Sequence, residues 1–126
     1  MRVVSIFLMI LFSSSAAIAQ TRTVVAGKPF KLHEAYSTNP DCSSMGDVVI
    51  RVVSPPSNGR VSIARGGAFP NFAPPNVRSD CNRRRVPATI ATYTAQRGYT
   101  GPDSVSLEII YPTGNVRQTS YSLMVR

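Results

Sequence analysis

The chain has 126 residues, with 14 basic against 6 acidic side chains, one histidine and two cysteines. That length supports one core and excludes two ordinary domains, and two cysteines with a lone histidine leave too few ligands for a cysteine-built metal centre. The basic excess reports solubility and weak attraction to polyanions, and it is silent on fold.

Met1 and Arg2 precede an apolar run from Val3 to Phe12, then Ser13 to Ser15 and the small-residue stretch Ala16 to Ala19. A charged start, an apolar middle and an Ala-x-Ala exit predict an export signal over 1–19, removed after Ala19. The run is about half the roughly 20 residues that cross a bilayer. No membrane anchor is therefore expected after cleavage. The competing reading, a buried N-terminal strand, would make Arg2 and the Ala17–Ala19 spacing coincidences. The remaining domain, 20–126, keeps thirteen basic against six acidic residues, a net charge of +7. For an exported protein of that charge the expected polyanions are surface polysaccharide, phospholipid headgroups or lipopolysaccharide, and nucleic acid is not expected. Only Lys28 and Lys31 of the basic residues are lysines. Arginine makes bidentate contacts to phosphate and carboxylate that lysine cannot.

Arg22 to Ala26, then Phe30 to His33 after Gly27-Lys28-Pro29, read as short strands, with His33 as a polar outward residue. Tyr36 to Met45 is a loop by composition. Val48, Ile50 and Val52 alternate with Val49, Arg51 and Val53, which predicts a strand covered on both faces in the middle of a sheet. In Ser54 to Gly59, the Asn58-Gly59 pair predicts a tight hairpin with positive φ at both residues, returning along Arg60 to Ile63. Ala68 to Asp80 is a long irregular connection. It is either functional or mobile, or a cover under which Phe69 and Phe72 tuck as a satellite of the core, and the second is the expectation.

Val86 to Ala95 is β-branched and aromatic, as strands prefer, and Gly98 to Asp103 makes a corner. In Ser104 to Tyr111, Val105, Leu107, Ile109 and Tyr111 fall on one face and Ser104, Ser106, Glu108 and Ile110 on the other. Pro112 to Asn115 signals a hairpin. Val116 to Arg126 closes the domain, with Tyr121, Leu123 and Val125 alternating against Ser120, Ser122 and Met124. About seven short strands without helical periodicity predict an all-β, immunoglobulin-like Greek-key sandwich, with a small barrel as the alternative. In an oxidising compartment Cys42 and Cys81 should pair. A closed loop of about 40 residues corresponds to roughly 4 kcal/mol in the chain-entropy treatment. A reactive thiol would need a helper base, which is not visible near either cysteine.

Pro56-Ser57-Asn58-Gly59-Arg60-Val61, Tyr93-Thr94-Ala95 and Gly98-Tyr99-Thr100-Gly101-Pro102-Asp103-Ser104-Val105 together resemble the bacterial immunoglobulin-like, cadherin-like repeat of exported and surface proteins. The likeness spans Pro55 to Arg126. It departs from the family at Ala95, commonly proline, and at Pro102, often threonine or serine. The resemblance implies a sandwich in which Tyr93, Gly98, Tyr99, Gly101 and Asp103 build a structural corner, and an adhesive role only by analogy. Physical chemistry supplies separate reasons for those residues. Glycine permits angles others resist, Tyr99 can bury its ring while its hydroxyl reaches backbone, and Asp103 can bond local amides as the next strand begins.

His33 would have to serve as base in any Ser-His-Asp device, and no serine sits in a nucleophile-elbow motif. The carboxylates Glu34, Asp41, Asp47, Asp80, Asp103 and Glu108 are scattered, so neither a glycosidase pair nor a calcium site is expected. Gly66-Gly67 lacks the context of a phosphate loop. Neither enzyme activity, nor a cofactor, nor a metal is predicted. One cluster stands out, Arg83-Arg84-Arg85. In an extended segment Arg83 and Arg85 share a face while Arg84 opposes them, which would let two guanidiniums converge on one anion. The expected function is an exported, non-catalytic binding or accessory module acting by surface contacts in the cell envelope. Its alternative is an envelope-structural protein that holds an anionic polymer through those arginines.

Overall fold

Residues 20–126 are described by a computed structural model, so the predicted export signal lies outside the described residues. Seven strands form: β1 Thr21–Val24, β2 Pro29–Ala35, β3 Val49–Ser54, β4 Gly59–Ala68, β5 Val86–Ala95, β6 Gly101–Ile110 and β7 Val116–Val125, with a single 3-10 turn at Ser79–Arg83. They make a four-stranded sheet, β1-β7-β6-β3, and a three-stranded sheet, β2-β5-β4. Two facing sheets make a sandwich rather than a barrel. With β3, β6 and β7 in one sheet and β2, β5 and β4 in the other, the connectivity is the immunoglobulin Greek key. β1 has joined the first sheet, running parallel to β7.

Period-two patterning places the core. Val105, Leu107 and Ile109 of β6, Leu123 and Val125 of β7, and Ala91 and Tyr93 of β5 are all buried. Ser104 is exposed and Ser106 and Glu108 are half-buried on the opposite face, so β6 has the register its sequence predicts. Each large apolar side chain so buried contributes roughly 1.5–3 kcal/mol relative to exposure. The β6–β7 hairpin closes as expected, with Tyr111 and Asn115 bonded through backbone (N···O 2.9 Å) and Gly114 at φ 92°.

Three expectations are corrected. β3 is an edge strand bonded only to β6. Val49 and Val53 are 46% and 48% exposed. The cause is the next connection: Pro55 to Asn58 carries the chain across to the other sheet instead of turning back beside β3, and neither Asn58 nor Gly59 has positive φ. Gly59 is there for space. An added Cβ would lie 2.6 Å from Tyr93 Cε2 and 2.8 Å from the Thr94 carbonyl oxygen. Phe69 does not tuck under its loop but is 61% exposed. Its neighbours Ala68 and Pro70 are the buried pair, and alternation turns Phe69 outward.

The corner is tied together by Asp103, whose carboxylate accepts four hydrogen bonds: from Tyr93 Oη (2.7 Å) and the backbone N–H groups of Ser57 (2.9 Å), Asn58 (3.1 Å) and Ser104 (2.9 Å). Only the Ser104 bond is the local amide expected from sequence. The others pin the β3–β4 crossing and β5 to β6, joining both sheets at one residue. Tyr99 donates its hydroxyl to the Pro102 carbonyl (2.6 Å), as expected. Gly101, at φ 132°, takes a conformation that side chains resist beside that ring.

Candidate functional site

The disulfide between Cys42 and Cys81 forms as expected, with Cα atoms 5.4 Å apart. It joins the loop before β3 to the 3-10 turn, and Arg78 reinforces the junction by donating from Nε to the Thr38 carbonyl (2.7 Å). Immediately after Cys81, the Asn82 side chain clamps the backbone of Phe72 at two points, accepting from its N–H and donating to its carbonyl, both at 2.9 Å. The Asn71 N–H donates to Tyr36 Oη (3.0 Å). Phe72 then meets Tyr36 edge to face, with ring centroids 5.8 Å apart. The connection after β4 is thus held in place at Phe72, which is half-buried.

Arg83, Arg84 and Arg85 are all exposed, and none forms an ion pair among the described residues. Their expected alternation does not hold. Arg83 closes the 3-10 turn and Arg84 is its extended cap, its N–H bonded to the Cys81 carbonyl (2.9 Å). At three residues per turn, successive side chains fan out instead of alternating. Arg85 leads into β5, where its side chain lies over Gly67 of β4.

A second feature escaped the sequence reading. In the β6–β7 pairing Arg117 stands opposite Ile109, Thr119 opposite Leu107 and Tyr121 opposite Val105. Partners across a ladder share a face. Ile109, Leu107 and Val105 are buried, so β7 aims an arginine, a threonine and a tyrosine along the inward parity. Arg117 is exposed and Thr119 and Tyr121 are half-buried, so these residues keep access to water. β2 supplies the opposite wall. A bulge at Leu32 shifts the register, bringing His33 opposite Ala91 of β5, which is fully buried. His33 is accordingly turned inward and half-buried, not outward, and its Nδ1 lies 2.7 Å from Tyr121 Oη. Above Tyr121 sits the Arg22 guanidinium, 5.2 Å from the ring centroid, a cation–π contact.

Of these residues His33 and Arg117 border a cleft of about 360 Å³, which Tyr36, Phe72, Tyr111 and Asn115 also line. Glu34 also reaches it, paired with Lys31. A volume of this size falls within the range of small-ligand sites.

Burial, and then the Arg22 charge, hold the His33 pKa below its ordinary 6.5. The neutral imidazole can accept a hydrogen bond from the Tyr121 hydroxyl at Nδ1, leaving Nε2–H as a donor. Because the unfolded chain binds the proton more tightly, stability is fully present above about pH 6.5 and is lost as pH falls through the folded value. His33→Gln should flatten that decline below about pH 6.5, since His33 is the lone histidine. Urea midpoints across this range check it, and an unchanged slope would remove the inward, neutral His33.

The domain is an immunoglobulin-type β-sandwich with a polar and aromatic cleft along one margin. Among the described residues no helix is long and apolar enough to cross a membrane. No family model matches the chain, and no curated protein does. Among solved structures it aligns with "Solution Structure of Amebosin" at 16% identity, over 84% of this chain and 88% of that one, with a TM-score of 0.46. A likeness that low carries no argument about either fold or function.

Proposed function

We propose that the protein is an exported, non-catalytic binding module of the bacterial immunoglobulin-like, cadherin-like kind, and that the cleft between β2 and β7 is its contact site. One observation carries this reading: Arg117, which lines the cleft, stands on the inward parity of β7, where a sandwich buries apolar side chains. The same cleft offers one imidazole engaged by a tyrosine and one carboxylate engaged by a lysine, which suits recognition better than bond breaking. The disulfide fits an oxidising compartment, as the N-terminal pattern does. Two measurements test it. Protein recovered from its host should begin at Gln20, and the immobilised protein should retain an envelope component that an Arg117→Gln variant of equal melting temperature releases. Equal retention by both would take the site away from the cleft.

A second reading is favoured by the exposure of Arg83, Arg84 and Arg85, which no described carboxylate neutralises. It makes the protein an envelope-structural component that holds an anionic polymer. An Arg83→Ser, Arg85→Ser double variant should then bind lipopolysaccharide or acidic polysaccharide more weakly, with a shallower salt dependence. Equal slopes would reduce the three arginines to solubility residues.

A further inference from the structure

The cleft has three properties that narrow its ligand. First, its aromatic groups are fixed before anything binds. Phe72 is clamped through its backbone by Asn82 and its ring is braced edge-on by Tyr36, while Tyr111, partly buried, packs against the core. Rings held this way lose little entropy on binding. They suit a ligand with flat C–H faces.

Second, the polar groups beside them are short or planar. Asn115 and the Nε2 edge of His33 offer donors and acceptors to hydroxyl groups. Third, the charge is unbalanced. Glu34 is taken by Lys31, whereas Arg117 is exposed and pairs with no carboxylate among the described residues. A planar guanidinium left open beside aromatic rings is suited to a carboxylate, which it grips at two points.

We infer that the cleft between β2 and β7 binds an acidic saccharide, its sugar rings against Phe72 and Tyr111 and a ring carboxylate on Arg117. This rests on the binding-module reading and names its ligand.

Calorimetric titration of the disulfide-bonded protein with three probes tests the inference: a hexuronic-acid trisaccharide, a neutral hexose trisaccharide, and citrate, which has the charge without the rings. The uronate should bind at least tenfold more tightly than either of the others. Arg117→Gln should erase the preference over the neutral sugar, and Phe72→Ala should weaken both sugars at least tenfold. Phe72→Leu, which keeps the packing and loses the aromatic face, serves if the alanine variant melts early. Arg65→Gln, on β4, should change nothing. Equal binding of neutral and acidic sugars, citrate binding as well as the uronate, or no sugar binding at all would each overturn the inference. Retention of an envelope component by the wild type, lost in Arg117→Gln, would in any of those cases leave the binding-module reading standing with a different ligand.

Discussion

Replacing Asp103 with alanine is expected to lower the unfolding free energy by about 3 kcal/mol or more, because it orphans several donors at once. Tyr93 is fully buried and its hydroxyl is held 2.7 Å from the carboxylate. The N–H groups of Ser57 and Asn58 end on the same carboxylate and fix the crossing between sheets. Tyr93→Phe removes one bond and leaves the others, so it should cost only about 1.5 kcal/mol. Burial by itself would raise the Asp103 pKa. The Tyr93 hydroxyl and the Ser57, Ser104 and Asn58 amides outweigh it and hold the carboxyl below its ordinary range. A depressed folded pKa gives stability that is present above the ordinary carboxylate range and lost as pH falls through the folded value. Denaturant unfolding of the three proteins at neutral and acid pH provides the measurement. A loss under about 1 kcal/mol for Asp103→Ala would mean water replaces the carboxylate at that corner.

The corner was legible in the sequence because glycine, tyrosine and aspartate there are chosen by local backbone needs, which leave a local pattern. β5, β6 and β7 were legible for a similar reason. A strand with one buried face spells it out every second residue, as Val105, Leu107 and Ile109 do. What could not be read depends on partners distant in sequence. The valines of β3 look the same whether a strand lies on one side or both, and only the crossing at Pro55 to Asn58 makes β3 an edge. Asn58-Gly59 has hairpin composition, yet the glycine answers to the Tyr93 ring, 34 positions away in sequence. A bulge changes parity without changing composition, so His33 moved from the outer face to the inner one. The cleft did leave one trace. Carrying the inward parity of Tyr121, Leu123 and Val125 back along β7 reaches Thr119 and Arg117, polar residues where core is due.

Replacing both cysteines with serine is expected to have the other large effect, and to act on the site as well as on the fold. The bridge spans a sequence separation of 39, and opening it frees the unfolded chain by roughly 4 kcal/mol of loop entropy. A loss of that size in a domain of about this length corresponds to a fall in melting temperature of roughly 15–25 °C. The bridge also fixes the 3-10 turn from which Asn82 reaches Phe72. Without it, the clamp has to be ordered each time the cleft is filled. Affinity for the ligand should therefore drop at temperatures where the variant is still folded, with circular dichroism reporting the fold and calorimetry the binding. A variant that melts lower but binds unchanged would uncouple the disulfide from the cleft, and the Asn82 clamp on Phe72 would then hold without the bridge.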